Sequence, residues 1–396
     1  MHHRVPYDPG RGRRARQLIK YLGSKRRLVP TLVSLVTSAG ASSAADLFSG
    51  TARVAAALKL AGVHVTAVDS GTYAYVIAET YVGTDAARID TAEVSDAVGY
   101  LNSLEGERGY VTEVFCERAR FFHPDNGRRI DAIRHAIERR WASTPLHPVL
   151  LTSLLEAADR VDSTTGVQMA YLKQWAPRAL RPIELRVPVL VPGPGRALLG
   201  SAPDLAASVG HVDVAYLDPP YNQHRYFTNY HVWETIVRWD APAHYGVACK
   251  REDCRDAATK SPFNQRATMP AALAATIDAV DADLLLVSYN DESWLSVGEI
   301  VAMCEAAMEK RFAAARAEVA VLGLDHPRYV GARIGIYNPS GEKVGRISHV
   351  RNTEHIVVAG ETSAVRAAVE AGIDAARSGG IEAEELNRSS THAGLS

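Results

Sequence analysis

The sequence predicts an α/β fold built on a mainly parallel sheet, and three observations carry that reading. Ala44–Phe48 is a short apolar run that ends in Ser49-Gly50, as a buried strand entering a turn does. Ala52–Ala61 follows with good helix formers and stops at Gly62, a glycine suited to closing a helix. Val63–Val68 is then a β-branched strand that ends at Asp69. Strand, glycine-containing turn, helix, strand and a terminal acid make a βαβ unit, whose ligand site lies outside the carboxyl ends of the strands.

The pattern breaks and then returns. From about residue 91 to 205 the text is helical, with amphipathic stretches at Asn126–Arg140 and Leu150–Val161 followed by a proline-rich segment. Strand text resumes at Val212–Leu217, just before Asp218, and again at Leu284–Tyr289 and His355–Ala359. The last 36 residues predict a helix over Ser363–Arg377 and a disordered polar end. At 396 residues the length suggests two or three globular units, here an α/β domain split by an insert.

Composition excludes several classes. With 47% hydrophobic residues and a net charge of −1 the chain is not disordered. Four scattered cysteines do not form a secreted disulfide framework. The N-terminus lacks an apolar signal region, and no apolar run approaches the roughly 20 residues that span a bilayer. The expected setting is therefore a reducing compartment, without a membrane partner. The balanced total hides an uneven distribution. Residues 1–30 hold nine bases and one acid, Cys116–Arg186 twelve bases and eight acids, and residues 361–396 three bases and six acids. Such a distribution is compatible with a nucleic-acid partner, where the total alone argues against one.

The sharpest chemical feature is Asp218-Pro219-Pro220-Tyr221 at the end of a buried strand. Two prolines cannot continue a sheet, so the backbone must leave as a stiff extended loop. That stiffness would fix the Asp218 carboxylate and the Pro219 carbonyl as two acceptors beside the flat face of Tyr221. Two acceptors next to an aromatic plate suit the exocyclic amino group of a stacked planar base.

Lys20-Tyr21-Leu22-Gly23-Ser24-Lys25, then Asp46-Leu47-Phe48-Ser49-Gly50, then Asp69 and finally the Asp-Pro-Pro-Tyr loop stand in one order. This ordered set resembles the alpha class of adenine-N6 DNA methyltransferases, the Dam-like enzymes, over most of residues 17–360. The text Asn222–Asp240 and Ser288–Asn290 is similar as well. The resemblance implies a Rossmann-like methyltransferase with a seven-stranded sheet, S-adenosylmethionine (SAM) as cofactor and double-stranded DNA as substrate. Tyr21 and Lys25 would line the SAM pocket, and Phe48, Ser49 and Gly50 would pack against its methionine part. Asp69 would bind the ribose hydroxyls and Asp46 the ammonium, directly or through water. Asp218, Pro219 and Tyr221 would grip the flipped adenine, with Pro220 setting the loop and Asp218 adjoining the cofactor. The implied setting is either beside a separately encoded restriction endonuclease or as an orphan methylase, in a prokaryotic cytoplasm at the nucleoid. The implied boundaries are a flexible basic arm over 1–16, a SAM-binding part over 17–90, a target-recognition insert over 91–205, a second catalytic part over 206–360 and an acidic tail over 361–396.

One position departs from the family turn, which commonly reads Gly-x-Gly where this chain has Gly50-Thr51-Ala52. Alanine is expected there as a first helical residue, at the cost of looser cofactor binding. Arg128, Arg129, Arg134, Arg139 and Arg140 mark a helix that could meet DNA or simply face solvent. His244, Cys249 and Cys254 have loose ligand-like spacing, read as ordinary packing rather than a metal site. Trp233 and Trp239 read as core. Rival functions are an amino-methyltransferase acting on cytosine N4 or RNA adenine, and a DNA-binding regulator without catalysis.

Overall fold

The computed structural model describes residues 19–221, 223–290, 293–312, 316–327 and 351–390; the basic arm expected over 1–16 lies outside them. Its strands are β1 Ser43–Asp46, β2 His64–Asp69, β3 Gly195–Leu199, β4 Val212–Leu217, β5 His244–Tyr245, β6 Lys250–Arg251, β7 Ala282–Asn290, β8 Ala317–Pro327, β9 Arg351–Glu361 and β10 Glu382–Ser390. β5 and β6 form a two-residue ladder, and the other eight make one sheet in the order β10-β8-β9-β7-β4-β1-β2-β3. Pairing is parallel from β3 through β2, β1 and β4 to β7. It is antiparallel from β7 through β9 and β8 to β10.

The order explains where chemistry can occur. The chain winds outward in one direction from β1 through β2 to β3, then restarts at β4 on the other side of β1. The reversal opens a crevice at the carboxyl ends of β1 and β4. Asp46 ends β1 and Asp218 follows β4, so both acids stand at that crevice.

Two apolar layers cover the sheet. One face packs on helices Val29–Ser38, Arg53–Leu60, Thr72–Ala78 and Thr362–Ser378, and the other on Met269–Ala279 and Val297–Arg311. Helix Arg53–Leu60 ends as expected at Gly62, at φ +87°, where the Val63 amide reaches back to the Leu58 carbonyl at 3.1 Å.

Three expectations are corrected. The sheet has eight strands rather than seven, because the polar end of the chain pairs with β8 as β10 over eight registered positions, broken by one irregularity between Glu385 and Asn387. The disorder expected after the last helix is therefore absent from Glu382–Ser390. A polar, acidic edge strand supplies no apolar signal, yet it caps an open sheet edge with charge. The segment read as insert also contains β3, a strand of the central sheet beside β2. The insert's helices Thr91–Ser103, Pro124–Trp141 and Leu146–Arg160 bury Val94, Ile133 and Leu154 in the same apolar layer as helix Thr72–Ala78. They extend the core and do not build a separate one.

The arginine-rich stretch is largely occupied internally. Arg134 is 2% exposed and donates to the carbonyls of Ile236 and Val237 at 2.8 and 3.0 Å. Arg129 donates to the carbonyls of Leu104 and Asn102, Arg128 pairs with Asp125, and Arg140 stacks 3.9 Å over Tyr100. Trp233 is buried as expected, and Trp239 is half-buried against His135. His244, Cys249 and Cys254 do not converge as a ligand set among the described residues.

Candidate functional site

The Lys20–Lys25 segment crosses the crevice and is held at both ends. Lys20 reaches outward to the insert, donating to the Asp159 carbonyl at 2.6 Å and to Asp162 Oδ1 at 2.9 Å. Between them Tyr21 stacks on Tyr230, with ring centres 4.8 Å apart and planes at 13°, and lies 5.1 Å from Tyr226. The Tyr230 hydroxyl accepts the Leu22 amide at 2.7 Å. Lys25 points inward: it is buried, its Nζ lies 3.0 Å from Asp218 Oδ1, and it also pairs with Glu354. Burial alone would lower its proton affinity, but the Asp218 and Glu354 carboxylates raise it well above the ordinary lysine range. Lys25 is therefore an ammonium bonded to the acid of the Asp-Pro-Pro-Tyr loop.

Asp218 is 18% exposed and opens toward the crevice. Burial raises its proton affinity, Lys25 lowers it, and the Glu354 charge raises it again, with a net shift upward. Tyr221 accepts a hydrogen bond on its hydroxyl from Asn290 Nδ2 at 2.9 Å, and Lys25 Nζ lies 5.8 Å from its ring centre. Pro219 is buried and Pro220 half-buried, so the loop is wedged as well as stiff.

The glycine turn after β1 is pinned from β2. Asp69 accepts the Gly50 amide on Oδ2 and the Gly71 amide on Oδ1, each at 2.8 Å. Burial raises the Asp69 carboxyl, and these amide bonds partly offset the rise. Each oxygen keeps a further lone pair for a hydroxyl. Gly50 has φ +51°, and a Cβ there would lie 2.9 Å from Tyr21 Cε1, so this backbone passes directly against the ring. Ala52 also has a left-handed φ of +55° as the residue capping helix Arg53–Leu60. The expectation of an ordinary helical alanine is corrected: the second family glycine stands where a positive φ is required, and alanine here carries strain of about 1–2 kcal/mol.

Asp46 is 1% exposed, and its carboxyl is pushed up to about 8, first by burial and then by the Asp218 charge. Phe48 meets Phe263 edge-on at 5.0 Å. Ser49 Oγ is buried with no hydrogen-bond partner among the described residues. A buried acid with no cationic partner among the described residues, an unmatched hydroxyl and aromatic walls fit a cationic amino acid joined to a nucleoside, as SAM is.

The structure thus gathers all the sequence-derived site residues along one crevice: Tyr21, Lys25, Asp46, Phe48, Ser49, Gly50, Asp69, Asp218, Pro219, Pro220 and Tyr221. Sequence reasoning missed Glu354, Tyr73, whose hydroxyl donates to that of Tyr21 at 3.4 Å, and the individual roles of Tyr226 and Tyr230. The i, i+4 spacing of Tyr226 and Tyr230 was a usable signal; Glu354 lay just before the apolar run His355–Ala359, with none.

The chain is also similar in sequence to known proteins. The family model described as D12 class N6 adenine-specific DNA methyltransferase matches residues 21–303. The Type II methyltransferase M.NlaIII of Neisseria lactamica is 29% identical over 297 residues, covering 71% of this chain and 86% of that protein. M.CviAII of Paramecium bursaria Chlorella virus 1 is 30% identical over 337 residues, covering 79% and 97%. M.FokI of Planomicrobium okeanokoites is 28% identical over 304 residues, covering 71% of this chain but 46% of its own length. No solved structure matches the chain.

Proposed function

The chain belongs to the D12 class of N6 adenine-specific DNA methyltransferases, and on that premise we propose which of its residues perform the transfer. The observation that carries the reading is Asp218, fixed by Lys25 at 3.0 Å beside Asp46 at the point where the sheet order reverses. When bound, SAM supplies an electrophilic methyl group on a positively charged sulfur. Asp46 holds the cofactor's ammonium, Ser49 and Phe48 line its methionine part, and Asp69 both anchors the Gly50 turn and accepts the ribose hydroxyls. Tyr21 closes the pocket against Gly50.

Adenine N6 is a poor nucleophile because its lone pair is delocalised into the ring. Hydrogen bonds from the amino group to Asp218 and to the Pro219 carbonyl favour the pyramidal nitrogen, and Pro220 keeps both acceptors in place. The chain's main contributions are positioning and charge complementarity. N6 lies inside the duplex, so the base leaves the stack at a cost of a few kcal/mol. Stacking on Tyr221 recovers about 1–3 kcal/mol.

The helices between residues 91 and 194 serve target recognition in duplex DNA, and the enzyme works beside a separately encoded restriction endonuclease or as an orphan methylase in the prokaryotic cytoplasm. Among the described residues no helix is long and apolar enough to cross a membrane.

Transfer of tritiated methyl from SAM to duplexes containing or lacking adenine tests the reading. Asp218→Ala is expected to abolish transfer and to leave SAM binding intact, since Lys25 keeps Glu354 as a partner. Asp69→Ala is expected to weaken SAM binding by about tenfold. Near-normal turnover by the first variant, or unchanged cofactor affinity in the second, refutes the assigned roles.

A further inference from the structure

Glu354 stands on β9 beyond the residues that the family model covers. β9 runs antiparallel to β7, and the register places Glu354 opposite Asn290, the residue bonded to Tyr221. Its side chain is 5% exposed. Its Oε1 accepts both the Lys25 ammonium and the Ser288 hydroxyl, the latter at 2.8 Å. A buried carboxylate is costly unless fully paired, so one retained behind the catalytic acid requires a reason beyond packing.

We propose that Glu354 is a positioning residue for methyl transfer: it holds one side of the buried Lys25 ammonium, so that Lys25 fixes Asp218 without neutralising it. One lysine against two carboxylates leaves the cluster with a net charge of −1. During transfer the N6 lone pair forms the new N–C bond while the methyl–sulfur bond breaks, its electron pair leaving with sulfur. The positive charge therefore moves from sulfur to N6, which then releases one proton through Asp218 to solvent. A cluster that stays negative stabilises that nitrogen as its charge grows. With Glu354 removed, Lys25 bonds Asp218 alone and the pair becomes neutral.

The groups facing Asp218 are Lys25 from the crossing segment, Asp46 from β1, Tyr216 from β4, Tyr226 from the following helix and Glu354 from β9. Of these, Glu354 raises the proton affinity of Asp218 and Lys25 lowers it. Glu354→Gln must then move the acidic limb of the rate profile to lower pH, while slowing the plateau.

The inference rests on Asp218 as the acceptor of the amino group, and the test separates the two. Steady-state and single-turnover methyl transfer by the full chain are measured against pH for Glu354→Gln, Glu354→Asp and Asp218→Ala. Glu354→Gln is expected to lower kcat about tenfold, with KM for DNA changed less than about threefold, and to shift the acidic limb downward. Glu354→Asp is expected to fall between it and the native protein in both respects. A Glu354→Gln rate equal to the native one, or a slowed rate with an unmoved acidic limb, overturns the role of Glu354, even when Asp218→Ala is inactive. An active Asp218→Ala overturns the underlying reading instead. Should Glu354→Gln lose its folded circular dichroism, Glu354→Asp alone decides, and native rate and profile in that variant overturn the proposal.

Discussion

Tyr21 lies so close to Gly50 that a side chain at residue 50 has nowhere to go: its first carbon would sit 2.9 Å from Tyr21 Cε1. Gly50→Ala therefore combines a left-handed residue, at about 1–2 kcal/mol, with an overlap that forces the ring to shift, at about 1–3 kcal/mol. Tyr21 packs against both Tyr226 and Tyr230, so part of the shift falls on the turn. Calorimetry is expected to show SAM affinity reduced at least tenfold, and an affinity within twofold of the native value would show that the turn does not touch the cofactor.

Ala52 gives the opposite prediction. Glycine at this position relieves strain of about 1–2 kcal/mol and gives up one buried methyl worth about 0.8 kcal/mol. The strain is the larger quantity, so Ala52→Gly is expected to raise the melting temperature slightly, with a gain of up to about 1 kcal/mol. A lower melting temperature would mean that the methyl packs better than its backbone angle suggests.

The raised Asp46 carboxyl predicts that cofactor binding depends on pH. Its carboxyl, raised to about 8 before a cation arrives, is mostly protonated at neutral pH. A cationic ligand favours the anion and expels that proton. SAM affinity should then rise with pH up to about 8 and level off above it, with proton release at pH 7. Calorimetry in buffers of differing ionisation heat measures the release, and Asp46→Asn is expected to remove it. In the folded protein without ligand the sign is reversed: the raised carboxyl contributes stability that is present below the unfolded value and lost as pH rises through about 8.

Arg26 and Arg27 are exposed beside the crevice, next to Lys25. As phosphate contacts they would each release about one counterion, so the double substitution to alanine is expected to reduce the salt dependence of DNA binding by a slope of about 2. Equal slopes for variant and native protein would mean that these arginines meet only solvent.

The parts legible in the sequence were those written in local chemistry. The βαβ unit around Gly50 and Gly62, the strand before Asp218 and the helix Thr362–Ser378 all carry apolar periodicity with turn residues at their ends. β3 and β10 carry little of it, because an edge strand packs only one side and β10 is mostly Glu and other polar residues. The meaning of Ala52 was hidden for a different reason, since a backbone angle is invisible until the turn is built. Glu354 was hidden by distance: it lies 329 positions from Lys25, and only the antiparallel return of β9 brings the two together. The arginines of helix Pro124–Trp141 show the converse, where a visible charge pattern was mainly occupied by carbonyls and a ring within the chain.

The segment from Lys20 to Lys25 joins two parts of the molecule. Its first lysine is moored to the end of helix Leu146–Arg160, its last is paired with Asp218, and Tyr21 between them stacks on Tyr230. Six residues leave little slack, at most about 20 Å of chain even when fully drawn out. A displacement at one end of so short a segment has little loose chain to absorb it before the other end feels it. The strap is short, so the end of that helix and the Asp218 carboxylate share one mooring line.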